Sequence, residues 1–114
     1  MSTRGWLIRI EDMLEAVEKI EIYTAGYDFE HWLADEKTSD AVVRNLALIG
    51  EAARHIPPEV QVQFPQIPWG MMRGFRNVLI HEYFGVDLEV VWRTVVDDLP
   101  HLKRYLQEVV TSQP

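Results

Sequence analysis

Apolar residues recur along most of this chain at alternating steps of three and four, the spacing that gathers side chains on one face of an α-helix. Trp6, Ile10, Met13, Leu14, Val17 and Ile20 predict a first helix from Arg4 to about Tyr23, with an acidic opposite face. Gly26 fits its stop. Asp28 followed by Phe29, Glu30, Trp32 and Leu33 reads as a capped short helix. From a cap at Thr38 or Ser39, a third segment runs to His55 with Val43, Leu46, Ala47, Gly50 and Ala53 on one side, small residues that suit close helix packing. Pro57 and Pro58 end it, and the stretch to Pro68 is expected to be loop with at most one short turn around Val60 to Phe64. Pro68 suits the opening of a fourth helix, Trp69 to about Tyr83, ending before Gly85. Asp87 then caps a last helix on which Leu88, Trp92, Val95, Leu99, Leu102, Leu106 and Val109 keep the same rhythm, with a kink expected at Pro100. No alternating β pattern of convincing length interrupts this series. The predicted fold is all-α: an antiparallel bundle of four main helices plus a short one.

At 114 residues the chain has the length of one ordinary domain, spanning 1–114, able to bury roughly 65% of its unfolded surface without cross-links. The absence of cysteine excludes a disulfide framework and a thiol nucleophile. The four scattered histidines show no metal-ligand spacing, so neither a metal nor another cofactor is expected. No apolar run approaches the roughly 20 residues of a membrane span, and the first residues carry no secretory pattern, which makes the cytoplasm the expected compartment.

The formal charge of −7 argues, taken whole, against a nonspecific nucleic-acid or membrane binder. The charge is unevenly spread. Residues 1–40 carry a net −6, whereas between Val60 and His81 there is no carboxylate side chain and Arg73, Arg76 and His81 fall there. One helix could therefore present an anion-attracting patch on an acidic protein. The plainer alternative pairs these arginines with Glu or Asp of neighbouring helices.

Within Arg73-Gly74-Phe75-Arg76-Asn77-Val78-Leu79-Ile80-His81-Glu82-Tyr83, Asn77 and His81 are one turn apart and Arg76 shares a face with Tyr83. Arg76 and His81 lie about 140° apart around the axis, so they converge only if the arginine wraps or a second chain contributes. Arginine grips phosphate through two parallel hydrogen bonds, histidine exchanges protons near neutral pH, and asparagine can fix either the imidazole or the substrate. Cleaving RNA through its 2′-hydroxyl needs proton removal, stabilisation of the phosphorane and protonation of the leaving oxygen, none of which demands a metal.

The motif Arg76-Asn77-Val78-Leu79-Ile80-His81-Glu82-Tyr83 resembles that of the HEPN superfamily, and within it the HepT-like toxins of HepT and MntA toxin–antitoxin pairs. The resemblance continues through Ile67-Pro68-Trp69, Phe84-Gly85-Val86-Asp87, Ile49-Gly50-Glu51-Ala52 and Asp98-Leu99-Pro100, and so covers nearly the whole chain. It implies a homodimeric helical bundle with two motif helices facing a shared cleft, and metal-independent endoribonuclease activity. Arg76 would hold and stabilise the phosphate, His81 would act as general acid or base, Asn77 would position, and Arg73 would widen the RNA-binding patch. The implied partner is a nucleotidyltransferase antitoxin that moves AMP from ATP onto Tyr83, filling the cleft with bulk and negative charge. Glu82 is a local departure, an acidic group beside the histidine that could raise the His81 pKa or repel RNA. Two other readings stand beside the toxin: a noncatalytic helical partner of a nucleotidyltransferase, and a structural dimerising bundle whose charged seam is internal salt bridges.

Overall fold

The computed structural model describes residues 3–80 and 87–113, with side chains for 5–76 and 87–113. Among the described residues all regular structure is helical and there is no strand.

Helix α1 (Thr3–Thr24) buries Trp6, Ile10, Met13, Val17 and Ile20 along the expected stripe, with Ala16 added and Leu14 at the margin. It is followed by Gly26 at φ +80°, a left-handed conformation that glycine adopts without the Cβ penalty. The short α2 (Phe29–Ala34) is capped as expected, the Asp28 carboxylate accepting the His31 N–H at 2.8 Å. Its Trp32 is fully buried and stacks 5.2 Å from Trp92 across the molecule.

Helix α3 (Glu36–Ala53) starts earlier than a Thr38 or Ser39 cap allows, and that expectation is corrected: Asp35 is the cap. Its carboxylate accepts from the Thr38 backbone N–H at 3.1 Å and from the Thr38 hydroxyl at 2.8 Å. A charged acceptor outcompetes a neutral hydroxyl for the first-turn amides, and Thr38 itself becomes a donor to it. Ser39, the other expected cap, lies inside the first turns, its hydroxyl donating back to the Glu36 carbonyl. The single apolar side expected for α3 is also too narrow, because Val42, Ile49 and Ala52 are buried with Val43, Leu46 and Ala53. A helix sandwiched between two neighbours must be apolar on both flanks. The two neighbours are α1 and α5.

Between α3 and α5 the chain forms more structure than one turn. Helix α4 (Pro58–Gln63) opens with proline at its first position and buries Val60. Helix α5 is Trp69–Ile80. The last segment comprises α6 (Leu88–Arg93), a π-helical turn (Thr94–Asp98) and α7 (Leu99–Ser112). Asp87 caps α6 as predicted, accepting from the backbone of Glu89 and Val90. The expected disturbance by Pro100 takes the form of the π-turn, closed by the Leu99 N–H reaching the Thr94 carbonyl. Proline has no N–H for the carbonyl four residues back and its ring crowds that carbonyl; a widened turn ahead of it accommodates both problems. Leu99, Leu102, Leu106 and Val109 are all buried, and α7 packs on α1, where Lys103 donates to Glu21 at 2.8 Å. The main contacts thus run α5 to α3 to α1 to α7.

Candidate functional site

The motif helix α5 is anchored before its arginines begin. Trp69, Met72 and Phe75, three residues apart, are buried. The Trp69 indole N–H donates to the Phe64 carbonyl at 3.1 Å, and Phe64 packs against Trp6 of α1 with ring centroids 6.0 Å apart. This fixes the entry of α5 against α1 and the loop that precedes it.

Gly50 sets how closely α3 approaches α5. A Cβ there would lie 2.6 Å from the Arg76 amide nitrogen and 2.7 Å from the Met72 carbonyl oxygen, both backbone atoms. Only glycine permits this approach. The next residue, Glu51, then falls beside the Arg76 side chain, with Oε2 2.9 Å from Nε. Arg54 Nη1 lies 3.5 Å from the same oxygen, and His55 Nε2 is 3.3 Å from Oε1. Partial burial penalises the Glu51 charge, but the hydrogen bond with His55 and the positive charges of Arg54 and Arg76 prevail and hold its carboxyl below the ordinary glutamate value. Two guanidiniums against one carboxylate leave this cluster net positive at the surface.

Arg73, one turn earlier and exposed, donates to the Gln61 side-chain oxygen at 3.0 Å, while the Gln61 amide nitrogen donates to the Ile56 carbonyl. The short α4 therefore steadies Arg73 through a neutral acceptor, and no carboxylate among the described residues pairs with it.

Of the residues singled out in the sequence, Arg73 and Arg76 stand together on the surface of α5. Asn77 lies on α5, but its side chain, and the whole of His81, Glu82 and Tyr83, fall outside the described residues. The plainer expectation for the arginines is met for one of them: Arg76 has an acidic partner on a neighbouring helix, whereas Arg73 has an amide. Sequence reasoning assigned no role to Glu51. Its only signal was its place beside Gly50 in the Ile49-Gly50-Glu51-Ala52 stretch, and its partner is 25 residues away, across a helix contact.

A groove of about 260 Å³ separates the outer edges of α1 and α3, lined by Arg9, Asp12, Glu15, Ala16 and Lys19 on one side and Asn45, Leu48, Glu51 and Ala52 on the other, so Glu51 stands between the groove and Arg76. No described helix is long and apolar enough to cross a membrane.

An all-helical domain whose motif helix displays arginines one turn apart, one of them beside a glycine–glutamate step of the neighbouring helix, is the class that fold and site define. Residues 13–109 match the family described as ribonuclease HepT-like. A Thermococcus cleftensis protein named as a probable ribonuclease HepT is 49% identical over 94 residues, covering 82% of this chain and 86% of its own. A Methanocaldococcus jannaschii protein named provisionally as an RNase is 36% identical over 109 residues, 96% of this chain and 100% of its own. Another provisional RNase, from Caldanaerobacter subterraneus, is 33% identical over 104 residues, 91% and 93% of the two chains. No solved structure matches with significance. The chain belongs to the HepT-like ribonuclease family.

Proposed function

We propose that this chain is the toxin of a toxin–antitoxin pair and cuts RNA without a metal ion. The observation that carries the proposal is Arg76, in the stretch that resembles the HepT-like motif, at the surface in a cluster of net positive charge. Arg76 binds the scissile phosphate and stabilises the charge that grows on it. His81 moves the proton of the attacking 2′-hydroxyl or of the leaving oxygen, Asn77 positions, and Arg73 extends the phosphate-binding strip. The five-residue spacing of Arg76 and His81, about 140° apart if the helix runs on to His81, favours a homodimer, in which a two-fold axis brings Arg76 towards His81 of the partner subunit.

In this reading Tyr83 is the silencing site: a nucleotidyltransferase antitoxin transfers AMP from ATP to its hydroxyl, releasing pyrophosphate and leaving a phosphodiester in the RNA cleft. The protein acts in the cytoplasm.

Purified protein is expected to cleave RNA in EDTA, and His81→Ala to abolish cleavage with unchanged circular dichroism, a loss on the order of 10²–10⁴-fold. A fully active His81→Ala removes the mechanism. Production of the chain alone is expected to arrest bacterial growth. Intact mass after co-production with a neighbouring nucleotidyltransferase should rise by AMP on Tyr83; an unchanged mass favours the noncatalytic partner instead.

The Arg76–Glu51 ion pair favours a second reading, in which the charged seam serves the fold alone. It predicts that Arg76→Ala unfolds the protein. The ribonuclease reading predicts a folded one whose cleavage is slower on the order of 10²–10³-fold but still measurable.

A further inference from the structure

The contact between Glu51 and Arg76 has a definite geometry. The carboxylate approaches the guanidinium most closely at Nε, on the inner edge, 2.9 Å away, as an ion pair rather than an aligned hydrogen bond. The two terminal nitrogens have no hydrogen-bond partner among the described residues, and the Arg76 side chain is 36% exposed. A phosphate gripped by two parallel bonds can take those outer nitrogens while Nε stays with Glu51.

From this we infer that Glu51 is a positioning residue for cleavage: it orients Arg76 through Nε, so that the outer edge of the guanidinium is presented to the phosphate. The inference rests on the ribonuclease reading above.

Two further features fit such a role. Gly50 brings the α3 backbone against the Arg76 amide, so the arginine is located at its backbone and, one residue on, at its side chain, by the same helix. A long flexible side chain located at its root and ion-paired near Nε has less freedom to lose when phosphate arrives than a free one. Arg54 and His55 share the Glu51 carboxylate, on Oε2 and Oε1 respectively, so the glutamate is itself held from its own helix. The cluster remains net positive, and a phosphate is attracted to it although a carboxylate stands at its centre. A carboxylate that merely blocked Arg76 would be expected to cover the outer nitrogens; this one covers the inner edge.

The test is single-turnover and steady-state cleavage of a defined RNA in EDTA by the full chain and by Glu51→Gln, Glu51→Ala, Arg76→Ala and the Glu51→Gln/Arg76→Ala double variant. Both Glu51 variants are expected to lose on the order of ten-fold in kcat with KM within about two-fold. In the Arg76→Ala background, Glu51→Gln should cost nothing more, because its effect passes through the arginine. Faster cleavage by Glu51→Gln makes the carboxylate a competitor of phosphate and overturns the inference, as does unchanged kcat in both variants. An equal loss in the Arg76→Ala background assigns Glu51 to some other task and overturns it too. If Glu51→Ala loses its helical circular dichroism, the isosteric Glu51→Gln carries the test alone. Parent protein that leaves RNA intact, or Arg76→Ala that cleaves at full rate, overturns the ribonuclease reading and this inference together. Loss on Arg76→Ala with both Glu51 variants fully active overturns the positioning role and leaves the ribonuclease standing.

Discussion

Helix α3 makes two contacts of opposite kinds. Against α5 it comes so close that a single methyl group would strike backbone, and the arginine of the motif is held there from both ends of its reach. Against α1 its inner residues are packed, but its outer edge parts from α1 to leave a groove with four charged side chains on the α1 side. Both contacts stabilise the same core. The tight one also fixes the direction of a side chain, and directional precision is what phosphate chemistry needs and what a solvated groove does not supply.

Breaking the tight contact should have the largest effect. Gly50→Ala forces its Cβ to within 3 Å of two backbone atoms, which a rotamer change cannot relieve. A loss of about 3 kcal/mol in urea unfolding is expected, at the upper end for overpacking, together with reduced cleavage. An unperturbed midpoint would mean that the helices separate freely and that the contact fixes nothing. Next comes Ile49→Val, on the fully buried flank beside Gly50, expected to cost about 1 kcal/mol while leaving kcat unchanged, so that packing and positioning separate.

Acid should then act through carboxylates at the edges of α2 and α3. Hydrogen bonds from His31 to Asp28, and from Tyr27 and Thr38 to Asp35, hold both carboxyls below their usual values. Glu51 is lowered against the opposing effect of burial, by the His55 hydrogen bond and the neighbouring arginines. The unfolded chain therefore binds more protons than the native one as pH falls. The stabilisation is complete above the ordinary carboxylate range and is lost as pH drops from about 4 through the depressed values. The urea midpoint is expected to be level between pH 6 and pH 7 and lower at pH 3; a higher midpoint in acid would reverse the assignment. The smallest effect belongs to the apolar side chain of the groove. Leu48→Ser, at a half-exposed position, should change stability by less than about 0.5 kcal/mol and leave cleavage untouched. A large effect on cleavage there would move the site to the α1–α3 edge.

Much of this architecture was legible in the periodicity. The stripes of α1 and α7 are the buried positions, and Asp28 and Asp87 cap where they were expected to, because caps and stripes are local matters of spacing and first-turn donors. The start of α3 was misjudged because three candidate acceptors stand within five residues, and the competition is decided by charge and by the Tyr27 hydroxyl arriving from the preceding loop. For the site, α5 and its two arginines could be placed from the sequence. Which acid would meet Arg76 could not, since that depends on how α3 crosses α5, and the crossing depends on a glycine whose small size is informative only once its neighbour is known. The −7 net charge says little about the site for a related reason: charge counts average over a surface, and the acidic helix α1 contributes to the sum without facing α5 as its main partner.

The π-turn at Thr94–Asp98 acts as a phase shifter between two short helices. It holds one residue more than an α-helical turn would, so α6 and α7 are rotated relative to a continuous helix, and each meets its own partner, α2 for the first and α1 for the second. Deleting one residue from the turn would restore an unbroken ladder on paper and turn α6 by about 100° about its axis. Val91 would swing out of the core and Trp92 away from Trp32, so the last helix of this protein is tuned by its residue count as much as by its residues.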